Sequence, residues 1–261
     1  MVFAIGTLAD AEVIQHGNLR VRFEGRMTPR SLPRTGTAPI AVSVGGTIKS
    51  TDGAVPPQLR RVVIGINRHG RIDATGLPVC RIAQIQPATT RDALRACGRS
   101  LVGEGSFSSK TILPEQAPFP SDGTVYAFNG IFRGGPAILV HIYGTKPAPI
   151  SFTLPFRIRR GSGTFATTLY ASLPHFTGKW GYVTGLRMTL RRRYSYRGRS
   201  RSYISAGCPA PAGFPGAVFP LARVRYRFAD GRQLSSTLIR ACSVRRQAPP
   251  SNLGGPAGRP R

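Results

Sequence analysis

Along most of this chain, apolar and polar residues alternate with a period of two. Leu19, Val21 and Phe23 alternate with Arg20, Arg22 and Glu24, the pattern of a strand buried on one face. The same period predicts strands over Ile40–Ile48, Leu59–Ile66, Leu101–Leu113, Thr124–Phe132, Ala137–Tyr143 and Ile150–Ile158. It continues over Thr164–Leu173, Trp180–Tyr196, Arg199–Ala206, Leu221–Phe228 and Leu234–Val244. Turn formers separate them, such as Ser50-Thr51-Asp52-Gly53, Arg133-Gly134-Gly135-Pro136 and Asp230-Gly231. About a dozen short strands at this spacing predict an all-β fold, an antiparallel β-sandwich.

One stretch breaks the pattern. Thr89–Ala96 has a helical period, with Thr89 or Thr90 as cap, Asp92 in the first turn and Gly98 to close the C-terminus. It sits between Cys80 and Cys97, so the helix is expected in a short excursion between two strands.

The other two cysteines are Cys208 and Cys242. No two of the four form a C-x-x-C pair and no histidine lies close to any of them, which argues against zinc and thiol redox chemistry. An even count at wide spacing predicts two disulfides. Of the three connectivities, Cys80–Cys97 with Cys208–Cys242 is expected, because the first pair is local and flanks the helix. These disulfides place the chain in an oxidising compartment, secreted or in the cell envelope. The start, Met1 to Ala11, adds to this. Val2–Leu8 is mostly apolar and Ala9-Asp10-Ala11 fits a small-x-small cleavage site. Residues 1–11 therefore read as a truncated signal-peptide remnant, lacking the basic n-region. Residues 12–244 read as one β-sandwich domain. Residues 245–261 are basic, rich in Pro and Gly, and expected to be a disordered tail. No apolar run reaches the ~18 residues that span a bilayer.

Charge changes the picture more than composition does. The chain has 37 Lys and Arg against 10 Asp and Glu, a net charge of +27. Four of the 37 are lysines, which leaves 33 arginines. A field this positive attracts polyanions, although a GC-rich genome's codon usage also favours arginine.

The densest cluster is Trp180–Ser205, "WGYVTGLRMTLRRRYSYRGRSRSYIS". A two-residue turn at Arg197-Gly198 predicts a hairpin in which Tyr196 opposes Arg199, Tyr194 opposes Arg201 and Arg192 opposes Tyr203. Its tip is polar on both faces from Arg191 onward and is expected to project beyond the sandwich. Arg191, Arg192, Arg193, Arg197, Arg199, Arg201, Tyr194 and Tyr196 are thus the candidate polyanion-binding residues. The expected partner is an anionic cell-wall polymer or another polyanion, with nucleic acid less favoured.

Catalysis finds little support. His16, His69, His141 and His175 form no metal-binding or triad motif, and no G-x-S-x-G elbow is present. No catalytic, metal or cofactor residue is assigned. Glu104 and Glu115 are the only plausible carboxylate pair for glycoside hydrolysis. A carbohydrate-binding module using Trp180 and Tyr182 as stacking platforms is the alternative to polyanion binding, with the hydrolase a further one.

Several stretches resemble a family of secreted proteins from GC-rich soil bacteria. They are "PPQLRRVVIGINRHGRID" (Pro56–Asp73), "LVGEGSF" (Leu101–Phe107), "LPEQAPFP" (Leu113–Pro120), "AILVHIYGT" (Ala137–Thr145) and "SAGCPAPAGFPGAVFPLAR" (Ser205–Arg223). The similarity runs from about Glu12 to Arg245. That family carries no assigned activity and lends no site residues; it implies secretion and an all-β body. Its members begin with complete signal peptides, from which this chain departs.

Disulfide pairing gives a direct check. A free-thiol assay on the denatured, unreduced protein is expected to find none, and four titratable thiols would contradict both the pairing and the oxidising compartment.

Overall fold

The computed structural model describes residues 11–146, 149–173 and 181–245. The signal remnant over residues 1–10, Trp180, His175 and the tail over 246–261 lie outside the described residues. The chain begins with strands β1 (Ala11–His16), β2 (Leu19–Thr28), β3 (Ser31–Leu32), β4 (Ala38–Pro39), β5 (Ala41–Ser50), β6 (Leu59–Ile66) and β7 (Gly70–Ile72). Helices α1 (Ile82–Ile85) and α2 (Thr90–Cys97) follow, then β8 (Leu101–Thr111), β9 (Phe119–Phe132), β10 (Gly135–Gly144), β11 (Ile150–Arg160) and β12 (Thr167–Ser172). The last third holds β13 (Gly181–Leu190), β14 (Arg193–Tyr196), β15 (Arg199–Ser202), β16 (Ile204–Ala206), β17 (Gly216–Phe228) and β18 (Gln233–Val244).

Thirteen of these strands form one sheet in the order β1-β2-β5-β13-β8-β9-β10-β11-β12-β6-β17-β18-β3. All neighbours run antiparallel except β18 and β3. A sheet this wide cannot stay flat, because each strand pair adds a right-handed twist. It curls until β18 packs against β1 and β2. The two halves thereby become the two layers of a sandwich. Leu19, Val21 and Phe23 from β2 meet Val224, Tyr226 and Phe228 from β17 and Leu238 from β18 in one buried cluster. A larger cluster fills the other end, with Val125, Ile138, Val140, Phe156, Leu169 and Met188. The fold is all-β, as the period-two pattern predicts.

Two expected strands prove to be composites. The run Trp180–Tyr196 breaks after Leu190, and its first half stays in the large sheet while its second half pairs with β15. The run Arg199–Ala206 breaks at Tyr203, a fully buried ring, and β16 joins β4 and β7 in a three-stranded sheet. Alternation lapses at Arg191-Arg192-Arg193 and changes phase between the adjacent buried residues Tyr203 and Ile204, but neither break by itself names the new partner strand.

Both disulfides pair as expected, Cys80 with Cys97 and Cys208 with Cys242. The second ties β18 to the segment after β16. The first closes the excursion, which holds two short helices rather than one. Thr89 caps α2, accepting from the Asp92 N–H at 3.2 Å. The excursion lies on the outer face of β9 and β10, where Ile85, Ala93, Cys80 and Cys97 bury Phe128, Ala137 and Leu139. Cys80 docks directly on β9: its N–H donates to the Asn129 carbonyl at 2.9 Å and its carbonyl accepts from Ile131 N–H at 3.3 Å. Such a small cluster holds two short helices weakly, and closing a 17-residue separation contributes about 3 kcal/mol on the chain-entropy model.

Strand β10 is therefore buried on both faces, which puts His141 at 0% exposure beneath the excursion. Burial holds its imidazole below the ordinary value of 6.5, opposed only by the Ile85 carbonyl. The unfolded chain takes up this proton near pH 6.5 and the folded chain does not. Stability is therefore complete above that pH and falls as the pH drops below it. The melting temperature is expected to fall between pH 7.5 and 5.5. His141→Leu should flatten most of that fall, leaving the smaller share of His69, whose pKa burial also lowers.

Candidate anion-binding face

The predicted hairpin exists in the predicted register. Strands β14 and β15 pair Tyr196 with Arg199 and Tyr194 with Arg201, and the Tyr203 N–H continues the ladder to the Arg192 carbonyl at 2.9 Å. Positive φ at Arg197 (51°) and Gly198 (70°) closes the two-residue turn in the manner of a type I′ hairpin.

The hairpin does not project freely, however. It folds down onto the turn Asp73–Gly76. The Tyr194 hydroxyl lies 3.2 Å from the Asp73 carbonyl and 2.9 Å from the Thr75 carbonyl. Arg201 Nη1 donates to Asp73 Oδ2 at 3.2 Å. Burial opposes ionisation of Asp73, but hydrogen bonds from Thr75 and the charges of Arg71 and Arg201 outweigh it and hold its carboxyl below the usual value. The Tyr196 ring covers Gly76, and the guanidinium groups of Arg197 and Arg201 lie 5.3 and 5.7 Å from that ring's centre. Arg191 is paired with Glu104. Of the eight candidates, Arg193, Arg197 and Arg199 are exposed with no carboxylate partner among the described residues, while Arg192 is half-buried. The tyrosines serve the fold: they pin the hairpin to the nearest carboxylate turn.

A denser basic surface lies elsewhere, on the outer face of the large sheet. Strands β11, β12, β6 and β17 are consecutive neighbours, and none contains Asp or Glu. Register places Arg157, Tyr170, Val63 and Arg225 side by side in one row. The next row holds Arg159, Thr168, Gly65 and Arg223. The third holds Ser172, Arg61 and Arg227, with the two arginines directly opposed. Alternation explains the arrangement: Val224, Tyr226 and Phe228 point inward, so Arg223, Arg225 and Arg227 must point out.

Two aromatic rings sit among these charges. The Arg61 guanidinium lies 5.2 Å from the centre of the Tyr170 ring. Phe165 covers Gly65, where a Cβ would come within 3.0 Å of it, and the Arg223 guanidinium lies 4.6 Å from the centre of the Phe165 ring. None of the six arginines has a carboxylate partner among the described residues, whereas Arg22, Arg187, Arg191, Arg201 and Arg232 each have one. Sequence reasoning missed this face because its arginines come from three separated strands. The signal that existed was the i, i+2, i+4 spacing of Arg223, Arg225 and Arg227.

The other candidates do not converge. Glu104 lies seven residues before the end of β8, roughly 23 Å of strand at about 3.3 Å per residue, and is paired with Arg191. Glu115 lies beyond that end, at a turn position with φ 64°. Paired glycosidase carboxylates stand roughly 5–9.5 Å apart, and strand and turn give these two no such juxtaposition. Tyr182 on β13 is half-buried and opposes Lys110 of β8.

No protein-family model matches the chain, and no curated protein or solved structure matches it. What the fold and site define is a class: a two-disulfide, all-β protein with an acid-free arginine face, in which no described helix is long and apolar enough to cross a membrane.

Gly76 tests the seating of the hairpin. It has φ +85°, and a Cβ there would stand 2.3 Å from the Tyr196 ring. Gly76→Ala is expected to displace that ring, destabilise the protein by about 1–3 kcal/mol, and raise amide exchange over Arg193–Ser202. Unchanged exchange would contradict the docking.

Proposed function

We propose that this is a secreted or envelope-associated protein that binds an anionic cell-wall polymer on the outer face of β11, β12, β6 and β17. One observation carries the reading: six arginines share a single sheet face that holds no carboxylate, and two of them, Arg61 and Arg227, oppose each other directly. Like charges opposed across a ladder destabilise it. A bound polyanion removes that repulsion and gains from it. Guanidinium groups suit phosphate and carboxylate groups because their fork of donors can bind two oxygens at once. Along β17 the three arginines recur at roughly 6.6 Å, the two-residue repeat of a strand, so an extended polymer can meet them in succession. The disulfides support the extracellular part of the reading. The exposed hairpin arginines Arg193, Arg197 and Arg199 are a secondary anchor at most.

A salt titration of binding to a teichoic-type polymer tests this. Neutralising six charges gives a log–log slope of roughly −4 to −5, by the counterion-release rule of about 0.7–0.9 per contact. Arg223→Glu/Arg225→Glu/Arg227→Glu should reduce the slope by about 2–3 and abolish measurable binding at physiological salt. The hairpin variant Arg193→Glu/Arg197→Glu/Arg199→Glu should retain most of it. Equal loss in the two variants, tighter binding to duplex DNA than to the polymer, or salt-independent binding to a neutral polysaccharide would each overturn the assignment.

A further inference from the structure

The inner side of the curled sheet is not completely filled. Between its two layers lies a hollow of about 180 Å³ whose walls are almost wholly aliphatic and aromatic. Val44, Ile64, Phe152 and Leu186 face inward and pack on the core, yet remain partly accessible, because they border this space. Gly25 and Gly46 face inward on β2 and β5 beside it, and their missing side chains let Leu238 and the Tyr226 hydroxyl approach those strands closely.

Few polar residues interrupt the apolar lining: Ser43, Asn67, His69 and Tyr226. Tyr226 is only 7% exposed and reaches from β17 across to β5, where its hydroxyl would lie 3.3 Å from a Cβ on Gly46. No hydrogen-bond partner for that hydroxyl is found among the described residues. Burial alone pushes its pKa up. At the margin of the hollow, Asn67 is already committed, donating to the Pro220 carbonyl and accepting from His69 N–H. A buried phenol is ordinarily paired. Here it faces a space of the size that holds a small aromatic molecule: an apolar cavity of about 150 Å³ stays dry and takes up benzene.

We propose that the hollow is a binding site for a small apolar molecule bearing one hydrogen-bonding group, a ring or short hydrocarbon chain with a single hydroxyl. The hydrocarbon body packs against the walls at Val44, Ile64, Phe152 and Leu186. The polar atom pairs with the Tyr226 hydroxyl. This site is on the opposite side of the sheet from the arginine face and does not depend on it.

Toluene and p-cresol are the probes, since they differ by one hydroxyl. Both are titrated into the folded full-length protein and followed by methyl NMR. Both should shift the methyl resonances of Val44, Ile64 and Leu186, with p-cresol binding about three- to tenfold more tightly, the worth of one net hydrogen bond. Tyr226→Phe should erase that preference and leave toluene binding unchanged. Val44→Phe should reduce both affinities by partly filling the space. If that variant fails to fold, the wild-type and Tyr226→Phe titrations decide the matter by themselves. No shift at the wall methyls with either probe, or shifts confined to exposed residues such as Val218, would overturn the site. An undiminished p-cresol preference in Tyr226→Phe would overturn the role of the phenol.

Discussion

The structure depends on one sheet packing against itself. Thirteen strands joined edge to edge present an inner face too large to leave in water, and no second sheet of comparable size among the described residues covers it. Burial comes only when the twist brings β17 and β18 round to β2 and β5. The contact is close: a Cβ on Gly25 would stand 2.9 Å from Leu238. Once the halves meet, inward positions become core and outward positions become surface, except where the helices cover β9 and β10. The arginines of β17 then have nowhere to go but outside.

The same closure produces two surfaces of opposite character, separated by the thickness of one strand layer. Outside, arginine and aromatic side chains share a face of strands without carboxylates, and its guanidinium groups have no carboxylate partner among the described residues. Inside, aliphatic and aromatic walls leave a hollow with the Tyr226 hydroxyl on its lining. Curvature links them, because a sheet that curls around itself cannot pack its inner side chains as evenly as two flat layers would.

The excursion over Cys80–Cys97 shows a different constraint. Strands β9 and β10 carry apolar residues on both faces, including Phe128 and Leu139 on the outer one. Those side chains need a cover, and two short helices supply it. The helices have too little core to hold themselves, so a disulfide and the backbone bonds of Cys80 to β9 fix them in place. His141 is sealed beneath, out of contact with solvent.

Much of this was legible in the sequence where the information is local. Period-two alternation marks strands such as β2, β6 and β17, the Thr89 cap marks α2, and the Arg197-Gly198 turn sets the register of β14 and β15. Cysteine spacing suggested the pairing. The sequence pattern failed where a strand changes partner, as at Arg191-Arg192 and at Tyr203, because a lapse in alternation does not name the new neighbour. It misjudged the hairpin, whose Tyr194 and Arg201 are held by Asp73, more than a hundred positions away. The arginine face was invisible because Arg61, Arg157 and Arg225 belong to strands far apart in the chain. The sequence by itself determined which side of each strand is apolar and which is charged, since that depends only on the two-residue repeat of an extended backbone. Tertiary structure alone decided which strands lie beside one another, and so which charges share a face and how much space the curled core leaves, because strand order is set by long-range closure of the sheet.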